Sequence, residues 1–140
     1  MLANGATLEY KKKSATESNY TKLKGLKEIP EIGVDPEKVE NTDLDDTQKM
    51  YEMGIGDPGD ITYKFKYDNT AKDSPYRVLR AYEASGENLS FKETLKDGTT
   101  TEFTGQVSVK RTGGGVNGVI EFDLNIALSS AFEITDPEIA

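Results

Sequence analysis

The feature that most restricts the fold of this chain is a two-residue alternation of apolar and polar side chains. Its clearest example is Val119–Leu128, where every second residue is apolar and most residues between them are polar or charged. Successive side chains of a strand point to opposite faces, so this pattern predicts a strand with one buried face. The residues expected inside are Ile120, Phe122, Leu124, Ile126 and Leu128, and those expected outside are Glu121, Asp123 and Asn125.

The same alternation recurs along the chain and predicts a mostly β protein. Clear further strands are Ile61–Tyr67, Leu89–Leu95 and Thr101–Lys110, and plausible ones are Thr7–Lys11, Leu26–Ile32 and Lys38–Thr42. Glycine-containing turns separate the later strands. Asp97-Gly98 favours a two-residue type I′ hairpin, and Gly113–Gly118 predicts a longer, flexible hairpin tip.

A single segment has convincing helical spacing. Asp73 or Ser74 offers an N-cap ahead of Pro75, apolar residues follow three and four positions apart, and Gly86 supplies a stop. Strands on both sides of one helix predict a small β-sandwich or open barrel with one flanking α-helix. The length of 140 residues predicts one domain, residues 1–140.

The absence of histidine and cysteine excludes much chemistry. Disulfides, Cys/His zinc sites, thiolate nucleophiles and histidine bases all need those residues. Nothing singles out a catalytic pair among the 25 carboxylates. We therefore expect no enzyme, no catalytic residue, no cofactor and no metal. No apolar stretch is long enough for a membrane span or resembles a signal peptide, so we expect a chain made in the cytosol and no membrane partner.

The negative charge lies in one segment. Between Glu28 and Asp60 eleven acidic residues face only Lys38 and Lys49, a net −9, whereas the whole chain carries −8. The only basic cluster is Lys11-Lys12-Lys13, and no basic stripe that would hold phosphates is present. We expect no specific binding of nucleic acid.

The segment Asn41–Asp60 does not follow the alternation. It predicts a loop of about 20 residues, which is long for a connection in a compact domain. An acidic turn, Asp43–Asp46, precedes three apolar residues that such a loop would expose. Long loops bearing apolar residues are usually functional or packed against something. The extended C-terminal tail, at about residues 130–140, likewise carries Phe132 and Ile134 beyond the last strand.

Two motifs in this region resemble ligand-binding motifs but have simpler structural interpretations. Gly54–Gly59 matches the dinucleotide-binding glycine pattern, but a strand follows it instead of a helix, and Asp57 would repel phosphates. The cluster Asp43–Asp46 invites a calcium interpretation, yet Thr47 and Gln48 do not fit an EF-hand. We interpret the first as a flexible turn and the second as a solvated acidic loop, and a weaker calcium site stays open as an alternative.

Taken in order, these segments resemble the tail tube proteins of long-tailed, lambda-type bacteriophages. Residues 20–32 resemble the family's opening, L-x-x-(V/L)-K-(D/E)-(I/L)-P, and Val39–Asp46 is similar to its E-x-T-x-L-D-D element. Phe103–Val107 matches its F-x-G-x-V strand. The resemblance spans nearly the whole chain, and its weight comes from the order of the motifs. We expect this protein to depart from the lambda type in lacking a second, immunoglobulin-like C-terminal domain, which many relatives also lack.

The resemblance implies a fold shared with the tubes of contractile tails and type VI secretion, and an assembly. Hexameric rings of that fold stack into a hollow virion tail, assembled in the host cytoplasm, through which DNA leaves without specific binding. Implied partners are further copies of the chain and the phage tape-measure, tail terminator and tail-tip proteins. The candidate inter-ring loop residues are Asp43, Leu44, Asp45, Asp46, Met50, Tyr51 and Met53. The candidates of the assembly tail are Phe132 and Ile134, and those of the channel wall are Glu121, Asp123 and Asn125.

Two alternatives remain at the level of the sequence. One is a type VI-like or tailocin tube protein, which would stack in the same way. The other is a monomeric, acidic β-sandwich that binds a partner or calcium.

Overall fold

The computed structural model describes residues 1–14, 19–59 and 61–139. Within these residues the chain is mostly β, with one helix between the sixth and seventh strands. The elements are β1 (Thr7–Lys12), β2 (Thr21–Leu23), β3 (Leu26–Glu28), β4 (Asp35–Glu40), β5 (Tyr51–Asp57), β6 (Ile61–Lys66), α1 (Pro75–Ser85), β7 (Leu89–Thr94), β8 (Thr100–Thr112), β9 (Glu121–Leu128) and β10 (Glu133–Thr135).

One antiparallel sheet contains all of these strands except β4 and β5. Its order is β2-β1-β7-β8-β9-β6-β3, and β10 pairs with β8 beside this path. The two edge strands are consecutive in the chain, because only Lys24 and Gly25 separate β2 from β3. The Lys66 N–H donates to the Gly25 carbonyl at 2.8 Å and ties this connection to β6. The sheet therefore curls until its two edge strands adjoin at this connection without pairing, in agreement with the predicted small β-sandwich or open barrel with one flanking helix.

The long strand β8 links the two halves of the sheet. Its first half, Thr100–Gly105, pairs with β7, and its second half, Gly105–Thr112, pairs with β9. At the junction a Cβ on Gly105 would lie 2.4 Å from the Ala127 carbonyl oxygen and 2.7 Å from Cγ2 of Ile126. Only glycine allows the two strands to approach so closely.

The core follows the predicted alternation. Phe122 and Leu124 are fully buried, as expected, whereas Ile120 lies before β9 and is half-exposed. Phe122 stacks on Phe65 of β6 with ring centroids 5.2 Å apart. The buried apolar side chains are Leu8, Leu23, Ile61, Tyr63, Phe65, Leu79, Leu89, Phe91, Phe103, Val107, Phe122, Leu124 and Ile126.

The helix begins and ends where the sequence predicts. Ser74 is the N-cap residue, but its hydroxyl accepts from the Ala71 N–H of the preceding turn and caps no helical N–H. Gly86 ends the helix with a φ of 72° and donates to the Tyr82 carbonyl at 2.9 Å. Leu79 is fully buried, and Tyr76 meets Phe122 edge-on, so α1 packs on the apolar side of the sheet.

The turn between β7 and β8 differs from the prediction. A type I′ hairpin needs a positive φ at both central residues, and only Gly98 has one, at 98°. The Gly98 N–H donates to the Leu95 carbonyl, and the Leu95 N–H donates to the Thr99 carbonyl. The connection is thus a three-residue loop that ends in a glycine with a positive φ. This geometry needs a positive φ at one residue, whereas a type I′ turn needs it at two.

The expected loop over residues 41–60 is a hairpin for most of its length. Residues 51–57 form β5, which pairs antiparallel with β4 and leaves residues 41–50 as its tip. Its partner β4 runs over Asp35–Glu40, three residues earlier at its start than the predicted Lys38–Thr42. Leu26–Ile32 also proves shorter, because β3 ends at Glu28 just before Pro30, which has no N–H for a ladder.

Candidate assembly surface

The β4–β5 hairpin stands apart from the main sheet, and its two faces differ. Every residue of β4 is exposed, and neither strand pairs with the barrel. On one face Tyr51, Met53 and Ile55 form an apolar row, with Ile55 94% exposed. On the other face Gly54 lies beneath Val39, and a Cβ there would be 3.0 Å from Cγ2 of that valine. A row of uncovered apolar side chains is typical of a contact surface.

Hydrogen bonds fix the shape of the hairpin tip. The Asp43 N–H donates to Oδ2 of Asp46 at 2.9 Å, and the Asp45 N–H donates to Oδ1 of Asp43 at 2.9 Å. The base of the tip closes through the Asn41 N–H to the Met50 carbonyl at 2.8 Å. The side chain of Leu44 is fully exposed at the end of this turn. The aspartates therefore order a turn that holds an apolar residue in solvent.

The two candidates in the C-terminal segment lie in different environments. Phe132 is half-buried, and its ring meets Phe103 edge-on with centroids 5.7 Å apart. Ile134 lies in β10 opposite Thr101 and is 57% exposed. Phe132 thus anchors the segment to the barrel, whereas Ile134 is exposed on its surface.

The polar face of β9 carries charges of both signs. Nζ of Lys27 lies 2.9 Å from Oε1 of Glu121, and Oγ1 of Thr62 donates to Oδ1 of Asn125 at 2.7 Å. Asp123 lies opposite Lys64 on β6 and Lys110 on β8. Its Oδ1 is buried without a hydrogen-bond partner among the described residues. Cross-strand lysines therefore offset the carboxylates, and the face is not uniformly acidic.

Comparison with known proteins identifies the chain. The sequence model of the family described as "Phage tail tube, TTP, lambda-like" matches residues 1–120. The chain belongs to this family. It is a structural protein of the tail tube, and its place is the virion tail. The match separates it from the monomeric binding modules that the composition alone allowed.

Solved structures of tails have the same fold. A protein in the "tail of empty GTA particle", refined with C6 symmetry, aligns with a TM-score of 0.66 at 21% identity over 92% of this chain and 94% of that one. The anti-feeding prophage baseplate, 6-fold symmetrised, gives 0.68 at 12% identity over 94% and 92%. The SPP1 tail tube gives 0.60 at 12% identity over 94% and 77%. No curated protein sequence matches the chain.

The hairpin of this tail tube protein brings the predicted loop residues together in two groups. Asp43, Leu44, Asp45 and Asp46 form the tip, and Met50, Tyr51 and Met53 lie at the start of β5 or just before it. Sequence reasoning missed Ile55, which continues the row of Tyr51 and Met53. The alternation of these three residues was the available signal, but Gly54 between them and Gly56 after them favoured a turn.

The described residues show neither a metal site nor a membrane helix. They contain no group of three or more carboxylate side chains arranged to hold a metal ion. Two of the tip aspartates instead accept hydrogen bonds from the backbone of their own turn. Across the same residues, α1 is too short and too polar to cross a bilayer.

A buried polar pair lies in the core, away from the hairpin. The Tyr63 hydroxyl donates to Oε2 of Glu93, and both side chains are buried. Burial raises the pKa of Glu93, although the hydrogen bond from Tyr63 opposes this. Burial, and then the negative charge of Glu93, raise the pKa of Tyr63, so the phenol stays protonated and remains the donor.

Proposed function

We propose that six copies of this tail tube protein form a ring, and that stacked rings make the conduit for DNA ejection. Six-fold symmetry in the gene transfer agent tail and in the anti-feeding prophage baseplate supports the number of subunits. The protein's further partners in this proposal are the tape-measure, tail terminator and tail-tip proteins of the phage. DNA passes without specific binding.

The observation that carries this proposal is the exposed hairpin. Tyr51, Met53 and Ile55 leave apolar area in water that an isolated subunit has no reason to expose in a row. Contact with the next ring would bury that row, and burial yields about 25 cal/mol per Å² of apolar surface. Because β4 and β5 pair only with each other among the described strands, the hairpin is free to reach a neighbouring subunit.

The test is polymerisation of the purified protein with a charge placed in the apolar row. We expect concentrated wild-type protein to form tubes in electron micrographs. The double variant Met53→Asp/Ile55→Asp should remain as subunits or isolated rings, because stacking would bury two carboxylates. Both positions are exposed in the subunit, so the variant should unfold at the wild-type urea concentration.

The control places a larger negative charge away from the hairpin. A double change at exposed helix positions, Arg77→Glu/Arg80→Glu, shifts the net charge further without touching the hairpin. If this helix variant and the row variant both failed to polymerise, the loss would reflect net charge. Normal tubes from the row variant would refute the hairpin's role.

A further inference from the structure

The tip of the hairpin has the features of a segment that inserts into a pocket on a partner protein. Leu44 is fully exposed, and hydrogen bonds among Asp43, Asp45 and Asp46 order the turn that carries it. An apolar side chain surrounded by carboxylates is complementary to an apolar floor with a basic rim. Val116, at the Gly113–Gly118 tip, is equally exposed but has only glycine and asparagine around it.

Such a floor and rim occur on the same chain, formed by residues that precede and follow the hairpin in sequence. A pocket of about 530 Å³ lies between β2, the end of β6 and the start of α1. Its apolar lining comes from Tyr10, Leu23, Ala71 and Pro75, and its basic lining from Lys22, Lys24 and Lys66.

The lysines of the pocket outnumber its acids. Asp68 and Asp73 also line it. The Asp68 carboxylate accepts from the Thr70 N–H at 3.0 Å and from the Thr70 hydroxyl at 2.7 Å, which lowers its pKa and engages it in its own turn. Three lysines against two aspartates leave the pocket lining with one net positive charge, opposite in sign to the hairpin tip.

We propose that this pocket receives the Asp43–Asp46 turn of a second copy of the chain. Leu44 enters the apolar floor, and Asp45, whose carboxylate serves no bond within the turn, meets Lys22 and Lys24. Within one chain the tip is fully exposed and does not fill the pocket. The tip that occupies the pocket therefore comes from another subunit. This inference rests on the proposed function and names the surface that the hairpin binds.

Disulfide trapping tests the contact directly, because the chain has no cysteine. Leu44→Cys protein with a size tag is mixed with untagged Ala71→Cys protein, assembled and oxidised without denaturant. We expect a mixed disulfide of the two chains. The control mixture replaces Leu44→Cys by Val116→Cys, a residue of equal exposure, and should give none above background. Equal yields in the two mixtures, or Leu44→Cys joining only to itself, would overturn the inference.

A charge swap provides the second test. Asp45→Lys alone and Lys24→Glu alone should each abolish tubes, and the variant with both changes should restore them. Both residues are exposed, so folding is not at risk. Wild-type protein that forms no tubes would refute the proposed function itself. Wild-type tubes together with a double variant that forms none, and no mixed disulfide, would refute this docking site alone.

Discussion

Glu93 is a carboxylic acid in the hydrophobic core, and its only hydrogen-bond partner among the described side chains is Tyr63. Across the ladder it faces Leu8 on β1 and Thr101 on β8, neither of which is charged. Water hydrates the unfolded carboxylate, whereas the core disfavours the charged form, so burial raises the pKa of Glu93 in the folded chain. The residue thus links folding to pH.

The sign of this linkage follows from the bound proton. Above the ordinary pKa of 4.5 the unfolded chain releases the proton that the folded chain retains. Stability is therefore full below that pH and is lost as pH rises toward the raised pKa. We expect Glu93→Gln, whose amide oxygen also accepts from Tyr63, to match wild type near pH 4 and to be more stable at pH 7. Urea unfolding at both pH values measures the difference. A constant difference between the two proteins would show that Glu93 does not titrate on unfolding.

At the scale of elements, β8 depends on one glycine. Gly105→Ala places a Cβ 2.4 Å from a backbone oxygen of β9, so the two strands must separate where the halves of the sheet join. We expect a loss of about 1–3 kcal/mol or more, the range for overpacked interiors. Gly115→Ala, in the β8–β9 tip, meets its nearest atom at 4.0 Å without a positive φ, and should change stability by less than about 0.5 kcal/mol. Thermal unfolding of both variants is the measurement, and equal melting temperatures would contradict the role of Gly105.

The elements also show how far the sequence could predict the fold. Strands with one buried face, such as β6, β7 and β9, were predicted within two residues, because burial imposes the alternation on the sequence itself. In the β4–β5 hairpin no core imposes a pattern, and Gly54 and Gly56 fill one face, so β5 was mistaken for a loop. The candidate residues at the tip were proposed from their expected exposure and charge, and their role in assembly stays a prediction. The lysine pocket was not anticipated, since it brings β2, β6 and α1 together by long-range pairing that no local sequence pattern indicates.

At the scale of the whole molecule, charge is divided between two regions. The hairpin segment carries the negative excess, whereas the polar face of β6, β9 and β8 alternates in sign across its strands. There Lys64, Asp123 and Lys110 lie in one row, and Glu121 pairs with Lys27. We propose that this face, with Asn125, lines the channel. A wall whose charges cancel locally neither holds passing phosphates nor repels them strongly.

Removing the two carboxylates tests this assignment. The variant Glu121→Gln/Asp123→Asn leaves the lysines of the face unopposed, and the amides are close in shape to the acids they replace. Tubes of this variant should retain duplex DNA at low salt and release it as salt shortens the Debye length from about 30 Å at 0.01 M to about 8 Å at 0.15 M. The matched variant Glu83→Gln/Glu87→Gln, on the exposed end of α1 and just beyond it, changes the net charge equally and should retain none. Co-sedimentation of tubes with labelled DNA measures the retention. If the two variants retained equal amounts of DNA, or if neither retained any, Glu121 and Asp123 would lie away from the channel.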